Sequence, residues 1–211
     1  MPAAIHASTA PRHRLTTVQR QREIVAVVLA LARERGPDAI TIQAIADRMG
    51  LTQGAVFRHF PDKEAIWLAV FAWVRESLEA AVASAMEQVQ SPLARIERVF
   101  LAHVAFVAVN PGVPRVMFHE MQYPGDSPVR AEVREMIASY RQRLSLLFRQ
   151  AKSAGELPRE LDATLAPVAF IGAVQGLVIE ASLAGDETGM VKRARKLLPL
   201  LLDGYRGRRN S

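Results

Sequence analysis

Residues 41–64 read TIQAIADRMGLTQGAVFRHFPDKE. Ile42, Ile45 and Ala46 recur at helical spacing with Asp47 and Arg48 on the other side, which predicts a short amphipathic helix from Ile42 to Met49 capped by Thr41. Gly50 ends it, because glycine tolerates the left-handed backbone that a helix C-terminus needs, and Leu51 is left in the turn to pack inward. A second helix is expected from Thr52 to His59, with Thr52 as its cap. Val56 and Phe60 lie four apart and face the core, leaving Gln53, Gly54, Ala55, Phe57 and Arg58 on the outward face. Pro61 restarts the chain and Asp62 caps a third helix. Lys63 sits in that helix's first turn, where its amine and the unpaired backbone N–H groups favour a phosphate. Two short helices about a glycine turn, followed by a third, form the pattern of a helix-turn-helix that reads DNA.

The outward face of the second helix suits a major groove. Gly54 and Ala55 let the backbone approach base edges, while Gln53 and Arg58 offer side chains for adenine or guanine. The run Arg22, Ile24, Gly36, Thr41, Ile42, Ile45, Ala46, Gly50, Thr52, Gly54, His59, Phe60, Lys63 and Glu64 resembles the amino-terminal DNA-binding domain of TetR/AcrR-type bacterial transcriptional repressors. That resemblance implies phosphate contacts from Thr41, His59 and Lys63, and groove positions for Thr52, Gln53, Gly54, Ala55 and Phe57. Arg58 is added on its chemistry alone. The family usually has tyrosine where this chain has Phe57, and its hydroxyl commonly reaches a phosphate. Phe57 cannot make that bond, but it can press on a thymine methyl or a sugar while Arg58 supplies the phosphate contact. Beyond residue 75 the resemblance rests on length and helical pattern.

Composition agrees. The chain has 211 residues, half of them hydrophobic, enough for a three-helix domain and a larger second one. A net charge of +6 favours a polyanionic partner, nucleic acid or anionic membrane. Residues 1–60 carry eight arginines against four acidic residues, so much of the excess lies in the proposed DNA-binding third. Cysteine is absent, which excludes disulfides and thiolate metal or redox sites and fits a cytoplasmic protein. Residues 24–32 form an apolar run ending in Ala30-Leu31-Ala32 that imitates a signal peptide. The run is expected instead to be the first helix, opened by a Thr16–Gln19 capping box and closed by Gly36. Residues 1–15 read as a disordered arm whose Arg12, His13 and Arg14 can touch a minor groove.

Past Asp62 the pattern is helical throughout. Trp67, Phe71, Val74, Leu78, Val82, Met86 and Val89 form one long stripe. Ser91-Pro92 opens a helix that Asn110-Pro111-Gly112 ends, Pro114 to Gln122 reads as a short helix, and Ser127-Pro128 opens a long one reaching Gly155. Residues 163–179 are almost wholly apolar. The stretch approaches membrane-spanning length, but Pro167, Gly172, Gln175 and Gly176 favour a buried helix and no membrane partner. A last helix runs from Glu187 to about Tyr205.

The predicted architecture is all-α, with about nine helices: a helix-turn-helix domain over residues 16–62, an effector-binding and dimerisation domain over 63–206, and a basic tail over 207–211. The expected subunit interface pairs Ala169, Gly172, Ala173 and Gly176, which allow close backbone approach, with the stripe Val191, Ala194, Leu198, Leu201 and Tyr205. The same stripe also fits intrachain core. Lys192, Arg193, Arg195 and Lys196 read as a solvated face. A homodimer would place two readers about 34 to 36 Å apart on a palindromic operator.

The resemblance implies an effector pocket between reader and interface, and His103, Phe106, Met117, Phe118, Met121, Tyr140 and Phe148 are its candidate lining, suited to a small hydrophobic molecule. The function expected is a ligand-responsive transcriptional regulator, most commonly a repressor, with no catalytic residues, cofactor or metal. His119-Glu120 lacks the second histidine of a zinc-protease motif, and no phosphate loop or nucleophile elbow is present. The alternatives are an architectural or division-linked DNA binder of the same fold, or a helical enzyme assembled from scattered residues.

Overall fold

The computed structural model describes residues 16–122 and 124–207. Among them are nine α-helices and no strand: α1 (Thr17–Arg35), α2 (Ile42–Met49), α3 (Gln53–Phe57), α4 (Lys63–Met86), α5 (Pro92–Val109), α6 (Gly112–Gln122), α7 (Pro128–Ser153), α8 (Ala166–Ala184) and α9 (Met190–Arg206). A 3₁₀ turn, Pro37–Ala39, joins α1 to α2. The expected arm over 1–15 lies outside the described residues, as does the basic tail beyond Gly207.

Most helices start where a side chain accepts an otherwise orphan amide. At α1, Thr16 Oγ1 accepts from Gln19 N–H at 3.2 Å while the Gln19 side chain accepts from Thr16 N–H at 2.9 Å, a reciprocal capping box. Thr41, Thr52, Asp62, Ser91 and Ser127 each accept the amide three residues on. Several boundaries differ from expectation: α4 stops at Met86, short of Val89, α6 starts at Gly112 rather than Pro114, and α9 starts at Met190 rather than Glu187. Helix α3 ends at Phe57, because the His59 amide already bonds three residues back, to Val56 O at 2.9 Å, and Pro61 disfavours helical backbone before it. Asp162 does not open α8 directly: its carboxylate accepts from the amides of Thr164 and Leu165, holding a turn, and the helix begins at Ala166.

The reader domain closes around α1. Ile24, Val28, Leu31 and Ala32 pack with Ile40, Ile45, Ala46, Val56, Phe60, Ile66 and Val70, all buried. The first half of α4 thus belongs to the reader. Its second half packs against α5 and α7, which with α8 and α9 make the larger domain. There Phe100 and Phe170 meet edge to face with ring centroids 5.3 Å apart. Helices α5 and α6 turn through 94° at Asn110 and Pro111, sending α6 back against α1 and α7.

Helix α8 corrects an expectation. Phe170, Val174, Leu177, Val178 and Ala181 are buried, but Leu165, Val168, Ile179 and Leu183 are exposed, so α8 is covered on one side rather than all round. By length and composition it is the one single helix among the described residues able to cross a membrane.

The α5–α6 bend brings Gly112 against the backbone of α1. A β-carbon there would lie 2.1 Å from the Leu29 carbonyl oxygen, so only glycine fits without separating the helices. Gly112→Ala should therefore lower stability by about 1 to 3 kcal/mol. Urea unfolding checks this, with Gly204→Ala in α9 as the comparison: no atom lies within 4 Å of a β-carbon at 204, so that variant should match or exceed the parent.

Candidate nucleic-acid interface and effector cavity

The turn between α2 and α3 is set by Gly50, whose φ of 64° and ψ of 35° are left-handed. Its own amide reaches Asp47 O at 3.2 Å and the Leu51 amide reaches Ala46 O at 2.9 Å, closing the end of α2. Helix α3 is held from below by buried Val56 and Phe60, and Gln21 Nε2 of α1 donates to His59 O at 3.0 Å. Arg48 of α2 forks onto the Glu34 carboxylate of α1, and that guanidinium holds the Glu34 carboxyl below its ordinary range.

This scaffold leaves Thr52, Gln53, Gly54, Phe57 and Arg58 exposed on one short helix and its flanks, with Thr41 and Lys63 exposed at the starts of α2 and α4. Phe57 is 45 % exposed although aromatic, a position that core packing does not explain. Gln53 Nε2 donates to Gln43 Oε1, and Gln43 Nε2 donates to Asp47 Oδ1, so a chain of amides from α2 orients the first side chain of α3. Ala55 is a correction: at 8 % exposure it lies beneath α3, not on its outward face. His59 is half-buried and its Nδ1 is enclosed without a hydrogen-bond partner, so a phosphate contact would fall to the other ring nitrogen.

The second candidate site is a cavity of about 140 Å³ in the larger domain. Six of the seven expected residues line it: His103 and Phe106 from α5, Met117, Phe118 and Met121 from α6, and Tyr140 from α7. Phe148 does not. It is fully buried in the core, its ring edge to face with Tyr205 at 4.9 Å. The rest of the wall comes from Val74 and Leu78 of α4, Val113 and Pro114 of α6, Met136 and Ile137 of α7, and Ile171, Val174, Gln175 and Val178 of α8, together with Val107. These were not legible as lining, since an apolar stripe reports burial and not a void; Gln175, a lone amide in an apolar run, was the one available signal.

His103 and Tyr140 are the polar pair of the cavity wall. Tyr140 Oη and His103 Nδ1 lie 3.0 Å apart, with the rings edge to face at 87°. Burial pushes the His103 imidazolium down to about 4 and the Tyr140 phenol up, so both are neutral near pH 7.

The expected subunit face divides in two. Ala169, Gly172 and Gly176 are exposed and Ala173, Val191 and Leu201 half-buried. Ala194, Leu198 and Tyr205 are corrections: they are buried in their own chain, and Tyr205 Oη donates to Ala166 O at 2.9 Å. The outward face of the pair is carried instead by Leu165, Val168, Ile179, Leu183 and Leu200, with Leu183 86 % exposed. Arg193 also departs from a solvated reading, bonding the Asp186 carboxylate at 2.7 Å and pairing with Glu180 at 3.5 Å. Among the described residues no three His, Asp or Glu side chains cluster as metal ligands would.

Because His103 titrates near 4 when folded and at its ordinary 6.5 when unfolded, the unfolded chain binds the extra proton between these values. Stability from this group is complete above about pH 6.5 and is lost as pH falls toward 4, by about 2 to 3 kcal/mol at pH 4.5. Urea unfolding at pH 7.5 and 4.5 should show the parent losing more than His103→Gln by about that amount; equal losses would place the imidazole in contact with water.

Residues 24–70 match the family model described as "Bacterial regulatory proteins, tetR family", and residues 89–179 match "Tetracyclin repressor-like, C-terminal domain". Relatives include the nucleoid occlusion factor SlmA of Aliivibrio fischeri, 23 % identical over 159 residues covering 75 % of this chain and 81 % of that protein. The SlmA of Vibrio cholerae is 24 % identical over 161 residues, covering 75 % and 82 %. Among solved structures, the ketosteroid transcriptional regulator KstR2 of Mycobacterium tuberculosis superposes with a TM-score of 0.75 at 20 % identity, over 90 % of this chain and 96 % of that one. FadR of Bacillus subtilis, solved with stearoyl-CoA, gives 0.74 at 17 %, over 87 % and 98 %. At such identities the structural likeness establishes the fold, while the two family models together cover most of the chain and both of its domains. The chain belongs to the tetR family of bacterial regulatory proteins.

Proposed function

We propose that this protein is a cytoplasmic homodimeric repressor that binds a palindromic operator and is released when a small hydrophobic molecule fills the cavity of the larger domain. The observation that carries this reading is the course of α4. Its first residue, Lys63, is exposed beside α3, and Val74 and Leu78 further along it line the cavity. One helix, about 22 Å from Lys63 to Leu78, thus connects a phosphate-binding end to the ligand wall. Helix α6 supports the same reading, since it lines the cavity and lies on α1 through Gly112. A ligand that fits better when α4 and α6 are displaced favours a dimer whose readers no longer match the groove spacing.

In this reading Gln53, Phe57 and Arg58 meet base edges, sugars or phosphates, Thr52 and Gly54 lie against the groove, and Thr41, His59 and Lys63 meet phosphates. The partner subunit docks on the exposed face of α8 and α9, where Gly172 and Gly176 let two α8 helices approach closely. Capture of sites from a random duplex library at near-physiological salt tests the whole reading: a twofold-symmetric consensus supports it, and no enrichment by folded protein overturns it. On the selected site, Gln53→Ala should weaken binding by about 1 to 3 kcal/mol and relax one base position, while Lys63→Ala should weaken all sequences alike and lower the salt slope by about one. Exchanged phenotypes would refute these roles.

The nucleoid occlusion relatives favour a second reading, in which the same dimer marks many chromosomal sites rather than one or two promoters. A genome-wide binding map separates the two.

Gly176→Arg tests the interface. A β-carbon at 176 has no atom of its own chain within 4 Å and the position is exposed, so the variant should keep its helix content and fold while running as a monomer in light scattering at micromolar concentration. A persistent dimer would place the interface elsewhere.

A further inference from the structure

The cavity specifies its occupant more narrowly than "small and hydrophobic". Its volume of about 140 Å³ is close to the space that holds a single aromatic ring in an engineered protein cavity. Nearly all of its wall is aliphatic, aromatic or thioether, and no lysine, arginine, aspartate or glutamate is among the lining residues. An anionic ligand would have to leave water for a wall without a counter-charge. Such a ligand would meet only His103, Tyr140 and Gln175 as polar groups, and the first two already share a hydrogen bond at 3.0 Å.

That pair is chemically two-faced. If His103 Nδ1 is bare, Tyr140 donates to it and its phenol oxygen is left to accept; if Nδ1 carries the proton, it donates to Tyr140 and the phenol proton is left to give. A carbonyl satisfies only the second arrangement and an amine cation only the first, the latter against a wall with no carboxylate, whereas a hydroxyl can donate or accept and so satisfies both. We infer that the cavity takes a neutral, ring-sized molecule bearing one hydroxyl, seated with that hydroxyl on the Tyr140–His103 pair and its ring against Met117, Phe118 and Ile171. Burial of both groups in the neutral state supports the same choice. The inference rests on the proposed effector role of the cavity for its regulatory meaning, but its test does not depend on DNA.

Three probes that share one tolyl ring decide it: p-cresol, toluene and p-toluate, titrated calorimetrically into the full chain at pH 7.5. p-Cresol should bind at least tenfold more tightly than p-toluate. Tyr140→Phe should weaken p-cresol about five- to tenfold, one hydrogen bond's worth, while leaving toluene unchanged. p-Toluate binding as tightly as p-cresol, a Tyr140→Phe variant that treats the three as the parent does, or no binding by any of them would overturn the inference. Operator release is scored separately. If p-cresol binds through Tyr140 without loosening operator DNA, the effector reading of the cavity fails and its chemistry stands; if only p-toluate releases DNA, the chemistry fails and the effector reading stands.

Discussion

The seam between α1 and α6 is the constraint on which the rest of the molecule depends. At Gly112 the two helices are so close that a β-carbon would fall 2.1 Å from the Leu29 carbonyl oxygen, far inside van der Waals contact. Nothing soft lies between them to absorb a displacement. Leu29 belongs to the helix whose other buried side chains carry the reader, and Gly112 begins the helix that supplies Val113, Pro114, Met117, Phe118 and Met121 to the cavity wall. Close-packed interiors transmit shifts rather than dissipate them. In the proposed mechanism a change in cavity shape would reach α1 across this seam, and the start of α4 through the same helix that holds Val74 and Leu78.

The polar groups are distributed to match. In the reader they are on the surface and specific: a carboxylate clamp from Glu34 to Arg48, an amide chain from Asp47 through Gln43 to Gln53, and threonine or aspartate caps at the start of each helix. These fix the rotamer and tilt of short helices that could not hold themselves, since five residues of α3 make too few hydrogen bonds to stand alone. In the larger domain the interior holds little polarity besides His103 and Tyr140, which satisfy each other. A neutral buried pair costs little when the cavity is empty of ligand and keeps hydrogen-bonding capacity for one that arrives.

Much of this was legible in the chain. Helix starts were, because Thr16, Thr41, Thr52, Asp62, Ser91 and Ser127 are chemical signals that act within three residues. The helix-turn-helix was, because Gly50 has a conformational reason to be where it is. What sequence could not give is which way an apolar residue faces when two burial partners compete. Ala55 sits one position before Val56, and a five-residue helix leaves no periodicity to separate groove from core. Phe148 and Tyr205 each had the right spacing for another role, yet they meet each other across α7 and α9. Ala194 and Leu198 belong to a stripe that is real, but they are buried within their own chain, where α9 packs on α5 and α8. The outward stripe of α8 was hidden for the opposite reason: a helix apolar on every side has no moment to read.

That two-sidedness of α8 joins the effector and the dimer in one element. Ile171, Val174, Gln175 and Val178 are in the cavity wall, while Val168, Ile179 and Leu183, on the same helix, are exposed and large. Exposed apolar side chains this numerous on one face are unusual for a surface left in water. If a second copy covers them, as proposed, a ligand pressing on the inner face of α8 acts directly on the helix that sets the angle between subunits. The reader's position then depends on the cavity twice, through α4 and α6 within a chain and through α8 between chains. Each route alone needs only a small preference of the ligand for the displaced state, because the operator counts both readers and a twofold dimer repeats the displacement in each half.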